Sequence, residues 1–289
     1  MKFRRIFNIA VTIFCLVCLA LFCHRIWVDR DSISASFATF FFYKWLIFVE
    51  VLLMGVNIFI ESIRWSVLRK VFTSGSYADD LTATLRSISL GNMTFANIGE
   101  HVGRFLSYSD KKSAGAASLV ASVIQTASIV ISGGIALAFL NSDDFVPQNI
   151  LYISLIAIAV AVFVGVIIIL LGLRYFHFPS GWGRGVSLAF ALNIAKFFVF
   201  SFQLALLLTP GMLPSALIFA CVVLYYFFVT IIPRINIIDI GVKGGLATWM
   251  FSSFAHSSVI SSAIIFIWAL NIVFPSLFGF FSFFRSHAS

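Results

Sequence analysis

The chain has 289 residues, 61% of them hydrophobic and 10% charged, with a formal net charge of +8. Its mean hydropathy is +1.06. A soluble domain carries about a quarter charged residues, so that class is excluded. The apolar runs are long and lack the alternation of barrel strands. The expected fold class is therefore all-α: a polytopic membrane protein of seven to eight transmembrane helices in a single integral membrane domain, 1–289.

In chain order, Lys2, Arg4 and Arg5 precede an apolar run from Ile6 to Trp27. This imitates a signal peptide, but Cys23-His24-Arg25 stands where a small-x-small cleavage site belongs, so a retained first span is expected. A span needs about 20 mostly apolar residues. Phe40–Leu68, Ala114–Leu140, Ile150–Leu173, Val186–Leu208, Pro214–Ile232 and Ser258–Phe284 satisfy that requirement. Two stretches, Leu81–Tyr108 and Ile235–Ala255, are interrupted by glycine and charge and predict re-entrant or broken helices. Lys and Arg gather at the N-terminus, over 69–112 and over 174–184, whereas the loop Asn141–Asn149 carries Asp143 and Asp144. Positive charge stays on the cytoplasmic side, which places the N-terminus there.

The first interrupted stretch has an internal grammar. Ser76-x-x-Asp79 reads as a capping box opening a helix, and Gly91-Asn92 as its stop. Asn97-Ile98-Gly99-Glu100 reads as a second helix start. The second stretch follows Pro233, which ends the preceding helix. Its Asp239-Ile240-Gly241-Val242-Lys243-Gly244 parallels Asn97-Ile98-Gly99-Glu100-His101-Val102-Gly103-Arg104. The parallel suggests an inverted repeat with halves 1–140 and 150–289; chance similarity is the competing reading.

Ionisable groups inside apolar runs are the main functional signal. Glu50, Glu61, Arg64, Glu100, Arg104, Lys196, Asp239 and Lys243 lie in or beside such runs. A charge in hydrocarbon costs about 3 kcal/mol or more, so these groups are expected to face protein or a wet cavity. Asn57, Glu61 and Arg64 share one helix face, and Glu61 can pair with Arg64 three residues on. Glu100 and Arg104, four apart, share another. Asn193, Lys196 and Gln203 share a third. Arg64, Arg104, Lys196 and Lys243 are the expected binding groups for an anionic phosphate. Glu61, Glu100, Asp239, Asn57, Asn97 and Gln203 are expected to balance charge or gate. A structural ion pair is the competing reading for Glu61 and Arg64, a buried ion pair with Glu50, Glu61 or Asp239 for Lys196, and a helix-packing seam for the glycines around Lys243.

No catalytic signature is present: there is no Gly-x-Ser-x-Gly, P-loop or His-x-x-x-His. No metal or cofactor is expected. Cys15, Cys18, Cys23 and Cys221 lie in apolar runs and read as small hydrophobes. The basic residues suit membrane orientation and anionic headgroups, and no basic tail points to nucleic acid.

These segments resemble the lysylphosphatidylglycerol synthase transmembrane region, or flippase-domain, family. The resemblance rests on Asn57 to Trp65, Asn97 to Arg104, Lys196 to Gln203, and Thr230-Ile-Ile-Pro233 through Gly244, and covers most of the chain. It implies a bacterial cytoplasmic-membrane protein of about eight spans that moves lipid between leaflets. Relatives with a following soluble aminoacyl transferase domain modify phosphatidylglycerol; this chain reaches only Ser289, so that activity is not expected. Asp239 and Lys243 stand where Glu and Arg are expected, and Lys196 where Arg is expected. Lysine lacks the bidentate geometry of arginine, which bears on headgroup preference. The expected partners are membrane lipids, anionic or aminoacylated phospholipid in particular, with room for a homodimer. Two alternatives stay open: a headgroup transferase using Glu100 or His101 as base, and a non-transporting scaffold for a partner enzyme.

Overall fold

The computed structural model describes residues 20, 23–24, 26–72, 76–94, 98–142, 182–231 and 239–285. Among these the chain is all-helical. In order the helices are α1 (Arg30–Phe42), α2 (Lys44–Phe72), α3 (Tyr77–Met93), α4 (Ile98–Leu106), α5 (Lys111–Ser142), α6 (Trp182–Leu208), α7 (Ala216–Ile231), α8 (Asp239–Phe251), α9 (Ser257–Trp268), a π turn (Ala269–Val273) and α10 (Phe274–Arg285). Lys44–Phe72, Lys111–Leu140, Trp182–Leu208 and Ser257–Ser282 are each long and apolar enough to cross a membrane. The expected spans Ile6–Trp27 (for the most part) and Ile150–Leu173 lie outside the described residues. The chain is thus a multi-pass helical protein in which these four helices have spanning length.

The polarity of α2 is inside out. Phe48, Leu52 and Phe59 are more than half exposed, whereas Glu50, Asn57, Glu61 and Arg64 are buried. The buried polar groups recur at spacings of seven, four and three, which is one face of an α-helix. Water would reverse this arrangement; a hydrocarbon surround favours it, because apolar side chains meet lipid and polar ones meet protein.

Boundaries differ from the sequence expectation in three places. Phe40–Leu68 is not one helix: Tyr43 interrupts it, and its backbone N–H closes α1 on the Thr39 carbonyl. The run Pro214–Ile232 yields only the 16 residues of α7. The Gly91-Asn92 stop comes early, since α3 continues to Met93. Thr94 then takes over the termination. Its hydroxyl donates to the Leu90 carbonyl at 2.9 Å and accepts from the Gly99 N–H at 2.6 Å.

The stretch 81–108 does form two short helices, as its grammar predicts. The capping box at Ser76 is present, with the Asp79 N–H donating to the Ser76 hydroxyl at 3.2 Å and the Ser76 N–H to the Asp79 carboxylate at 3.3 Å. Helices α3 and α4 pack as a hairpin through glycine. A methyl group on Gly103 would sit 2.7 Å from the Ser87 Cα, and one on Gly99 would strike the Leu90 carbonyl. Only glycine permits this approach. The stretch 235–255 gives α8, 13 residues long, with Gly241 and Gly244 buried and Gly245 exposed.

The main apolar core is built by α5, α6, α7 and α9, with Leu137, Leu204, Leu207, Leu224, Phe227 and Ile264 at its centre. The hairpin lies against α10. Arg86 donates to the Ser282 carbonyl at 2.9 Å, Asn92 to the Ser276 hydroxyl at 2.7 Å, and a side chain on Gly279 would collide with the Leu85 carbonyl. This packing holds α4 between α3 and the long helices, and so fixes the position of Glu100 and Arg104.

Candidate functional site: a carboxylate that binds three cations

Glu61 is the hub. Arg64, one turn along α2, grips it with two bonds: Nε to one oxygen at 3.0 Å and Nη2 to the other at 2.6 Å. Arg104 reaches it from α4, Nη2 to Oε1 at 2.7 Å. Lys196 reaches it from α6, Nζ to Oε2 at 2.8 Å. Arg104 also bonds Glu100 at 2.8 Å. The pairs expected within α2 and within α4 therefore form, and they merge into one network with α6. Arg64 extends it to α5 by donating to the Ala121 carbonyl at 3.2 Å.

Burial is graded across the network. The Arg64 and Arg104 side chains are each 1% exposed, whereas Lys196 is 28% exposed. Three cations face two carboxylates, Glu61 and Glu100, which leaves one positive charge in excess. Buried pairs lose much of their hydration, and breaking one by removing a single partner costs about 3–5 kcal/mol. Trp65 backs the arrangement: the Arg104 guanidinium carbon stands 4.6 Å from its ring centroid. A cation over indole gains about 2 kcal/mol when desolvated. The Arg104 Nε is buried and makes no hydrogen bond.

A cavity of about 270 Å³ adjoins this network. Glu61, Glu100, Lys196 and Lys243 line it, and so do apolar groups such as Phe200 and Ile264. Arg64 and Arg104 are not among its lining residues; they stand behind Glu61. Lys243 comes from α8, whose backbone carbonyl at that residue accepts from the Tyr225 hydroxyl at 3.2 Å. The cavity thus gathers charge from α2, α4, α6 and α8. No family model matches this chain, and no curated protein matches it.

The other expected residues fall as follows. Asn57 and Gln203 meet, the Asn57 amide donating to the Gln203 side-chain carbonyl at 3.4 Å. Asn57 lines the cavity. Asn97 lies outside the described residues. Asp239 begins α8, and its side chain lies outside the described set. His101 turns to α5, where Nδ1 lies 2.7 Å from the Ser118 hydroxyl. It does not line the cavity, which leaves the transferase alternative without a histidine at the site.

The structure adds a second buried ion pair. Arg69 reads in the sequence as an interfacial loop charge beside Lys70, yet it is fully buried and forks onto Asp80, with Nη2 2.9 Å from Oδ2. The Tyr108 hydroxyl donates to Asp80 at 2.6 Å and accepts from the Trp65 indole at 2.8 Å. Burial pushes the Tyr108 phenol up, and its bond to Asp80 pushes the same way, so it remains a donor. The available signal was the doublet Asp79-Asp80: one carboxylate suffices for the cap, and the other is left to find a cation.

Proposed function

We propose that this protein is a lipid translocase of the bacterial cytoplasmic membrane, with its N-terminus in the cytoplasm. Its substrate is an anionic or aminoacylated phospholipid, or a similar phosphate-bearing lipid, moved between leaflets. The observation that carries this reading is the Glu61 hub at the cavity wall. Three cations share one carboxylate, and the most exposed of them, Lys196, faces the cavity.

Such a hub can give up one cation without leaving a bare charge. A phosphate entering the cavity draws Lys196 away from Glu61, because lysine binds phosphate as a mobile point charge. Arg64 and Arg104 remain on Glu61 and keep it neutralised. Lys243 adds positive charge to the cavity from α8, and the bond from Arg104 offsets the repulsion that Glu100 would present to an anion. The apolar remainder of the cavity suits the glycerol and upper acyl region, while the acyl chains stay in the bilayer. Transporter sites of this kind lie where short or broken helices meet long ones; α4 is a short helix bonded to α2 through Arg104, and α8 is a short helix packed against α7 and α9.

The test is leaflet exchange of a fluorescent phospholipid in proteoliposomes. Lys196→Met and Arg104→Ala are expected to lower the exchange rate at least tenfold. Rates indistinguishable from the wild type in both variants would overturn the reading.

A further inference from the structure

Glu50 occupies the same face of α2 as Asn57, Glu61 and Arg64, but its environment differs from theirs. It is fully buried, and neither carboxylate oxygen has a hydrogen-bond partner. Gln203, from α6, donates its amide to the backbone carbonyl of Glu50 at 3.1 Å, which brings that amide beside the carboxylate. Tyr226, from α7, is the titratable group close enough to sense its charge, and the Tyr226 hydroxyl is also buried without a partner. Among the described residues no cation pairs with Glu50. An isolated carboxylate in such surroundings is far more costly than the neutral acid, so the site demands a proton.

Two lines of polar groups lead from this site toward the cavity, neither of them a continuous chain of hydrogen bonds to the carboxylate. One runs through Tyr226, which lines the cavity and whose hydroxyl can both accept and donate a proton. The other runs from the Glu50 backbone carbonyl through Gln203 to Asn57, whose side-chain oxygen is buried without a partner and which also lines the cavity. The Glu61 cluster begins one turn beyond Asn57 on the same face.

We infer that Glu50 is a reversible proton-binding site that couples headgroup occupancy of the cavity to a proton gradient; the coupling, though not the site, rests on the translocase reading. Proton uptake forms the O–H bond of the neutral acid and makes the surroundings of the cavity more positive by one charge. An anionic headgroup then binds more tightly. Release of the proton restores the carboxylate and repels that headgroup. By linkage, bound anionic lipid strengthens proton binding to the same degree. Proton and anionic lipid therefore move in the same direction.

The experiment uses the full chain reconstituted in vesicles, with fluorescent phosphatidylglycerol as probe. Infrared difference spectra should show a protonated-carboxyl band in the wild type that is missing from Glu50→Gln. Glu50→Asp, the variant closest in chemistry, should keep the band at a shifted frequency. For one proton per lipid, a gradient of one pH unit should shift the leaflet ratio of the probe about tenfold in the wild type, and Glu50→Gln should show the same ratio with and without the gradient. A band that persists in Glu50→Gln overturns the site. A wild-type ratio that ignores the proton gradient, or follows a sodium gradient instead, overturns the coupling while leaving the translocase reading intact. A band assigned to Glu50 together with no lipid movement supports the proton site and refutes the translocase reading.

Discussion

The indole nitrogen of Trp65 donates to the hydroxyl of Tyr108 at 2.8 Å, and this single bond joins two buried charge systems. On one side, Trp65 supports Arg104 and through it Glu61. On the other, Tyr108 holds Asp80, which holds Arg69. The link runs between α2 and the turn that follows α4. Removing the hydroxyl with Tyr108→Phe leaves the Trp65 N–H without its partner, whereas the Asp80 oxygen keeps its bond from Arg69. Such an unpartnered group costs about 1–3 kcal/mol. Thermal unfolding in detergent should show the loss, and Trp65→Phe in the same background should add the loss of indole packing and of its contact with Arg104 but nothing further from the missing bond.

Glu61→Gln should be the most damaging single change at the hub. It leaves Arg64, Arg104 and Lys196 close together with Glu100 as the sole remaining carboxylate among their pairs. A loss of about 3–5 kcal/mol follows for a buried pair broken on one side. Lys196→Met should recover part of that loss when combined with Glu61→Gln, since it removes one uncompensated charge. A double-mutant cycle on unfolding free energy measures the coupling, expected at about 1–3 kcal/mol.

Arg69→Met and Asp80→Asn should each destabilise by about 3–5 kcal/mol, as both side chains are fully buried. The double variant Arg69→Met with Asp80→Leu should be less destabilised than either, because no charge remains unpaired. If either single variant unfolds at the wild-type temperature, the pair does not hold α2 against α3.

Glycine substitutions separate packing from charge. Gly103→Ala places a methyl 2.7 Å from the Ser87 Cα, whereas Gly115→Ala meets nothing within 4 Å. Overpacking costs about 1–3 kcal/mol, so Gly103→Ala should lower thermal stability and, on the proposed translocase reading, slow lipid exchange by displacing Arg104. Gly115→Ala, at the start of α5, should match the wild type in both measurements.

The legibility of this protein from sequence followed the physics of each signal. Hydropathy and length gave α5, α6 and the α9–α10 span to within a few residues, because a long apolar run in a membrane has few alternatives to helix. The α3–α4 hairpin was readable because a capping box and closely spaced glycines mark local backbone geometry. The pairing of Glu61 with Arg64 and of Glu100 with Arg104 was also local, set by helical spacing. That Lys196 chooses Glu61 over Glu50 or Asp239 was not readable, since it depends on how α6 crosses α2. Arg69 misleads for a similar reason: beside Lys70 at the end of an apolar run it looks interfacial, and only the packing of α3 encloses it. Trp65 adjoins the charged face in sequence, but its contact with Arg104 depends on the fold of the hairpin.

The π turn between α9 and α10 has a structural consequence of its own. It ends just before Pro275, which has no N–H to return to the Asn271 carbonyl, so an uninterrupted α-helical ladder cannot be drawn through this point. One additional residue in a helical turn rotates everything after it by about 100°. The N-terminal half of the span can therefore address the apolar core with Ile260, Ile264 and Ile267, while the C-terminal half turns Ser276 and Gly279 toward the hairpin. A single helix of spanning length serves two differently oriented partners, and proline makes that offset permanent.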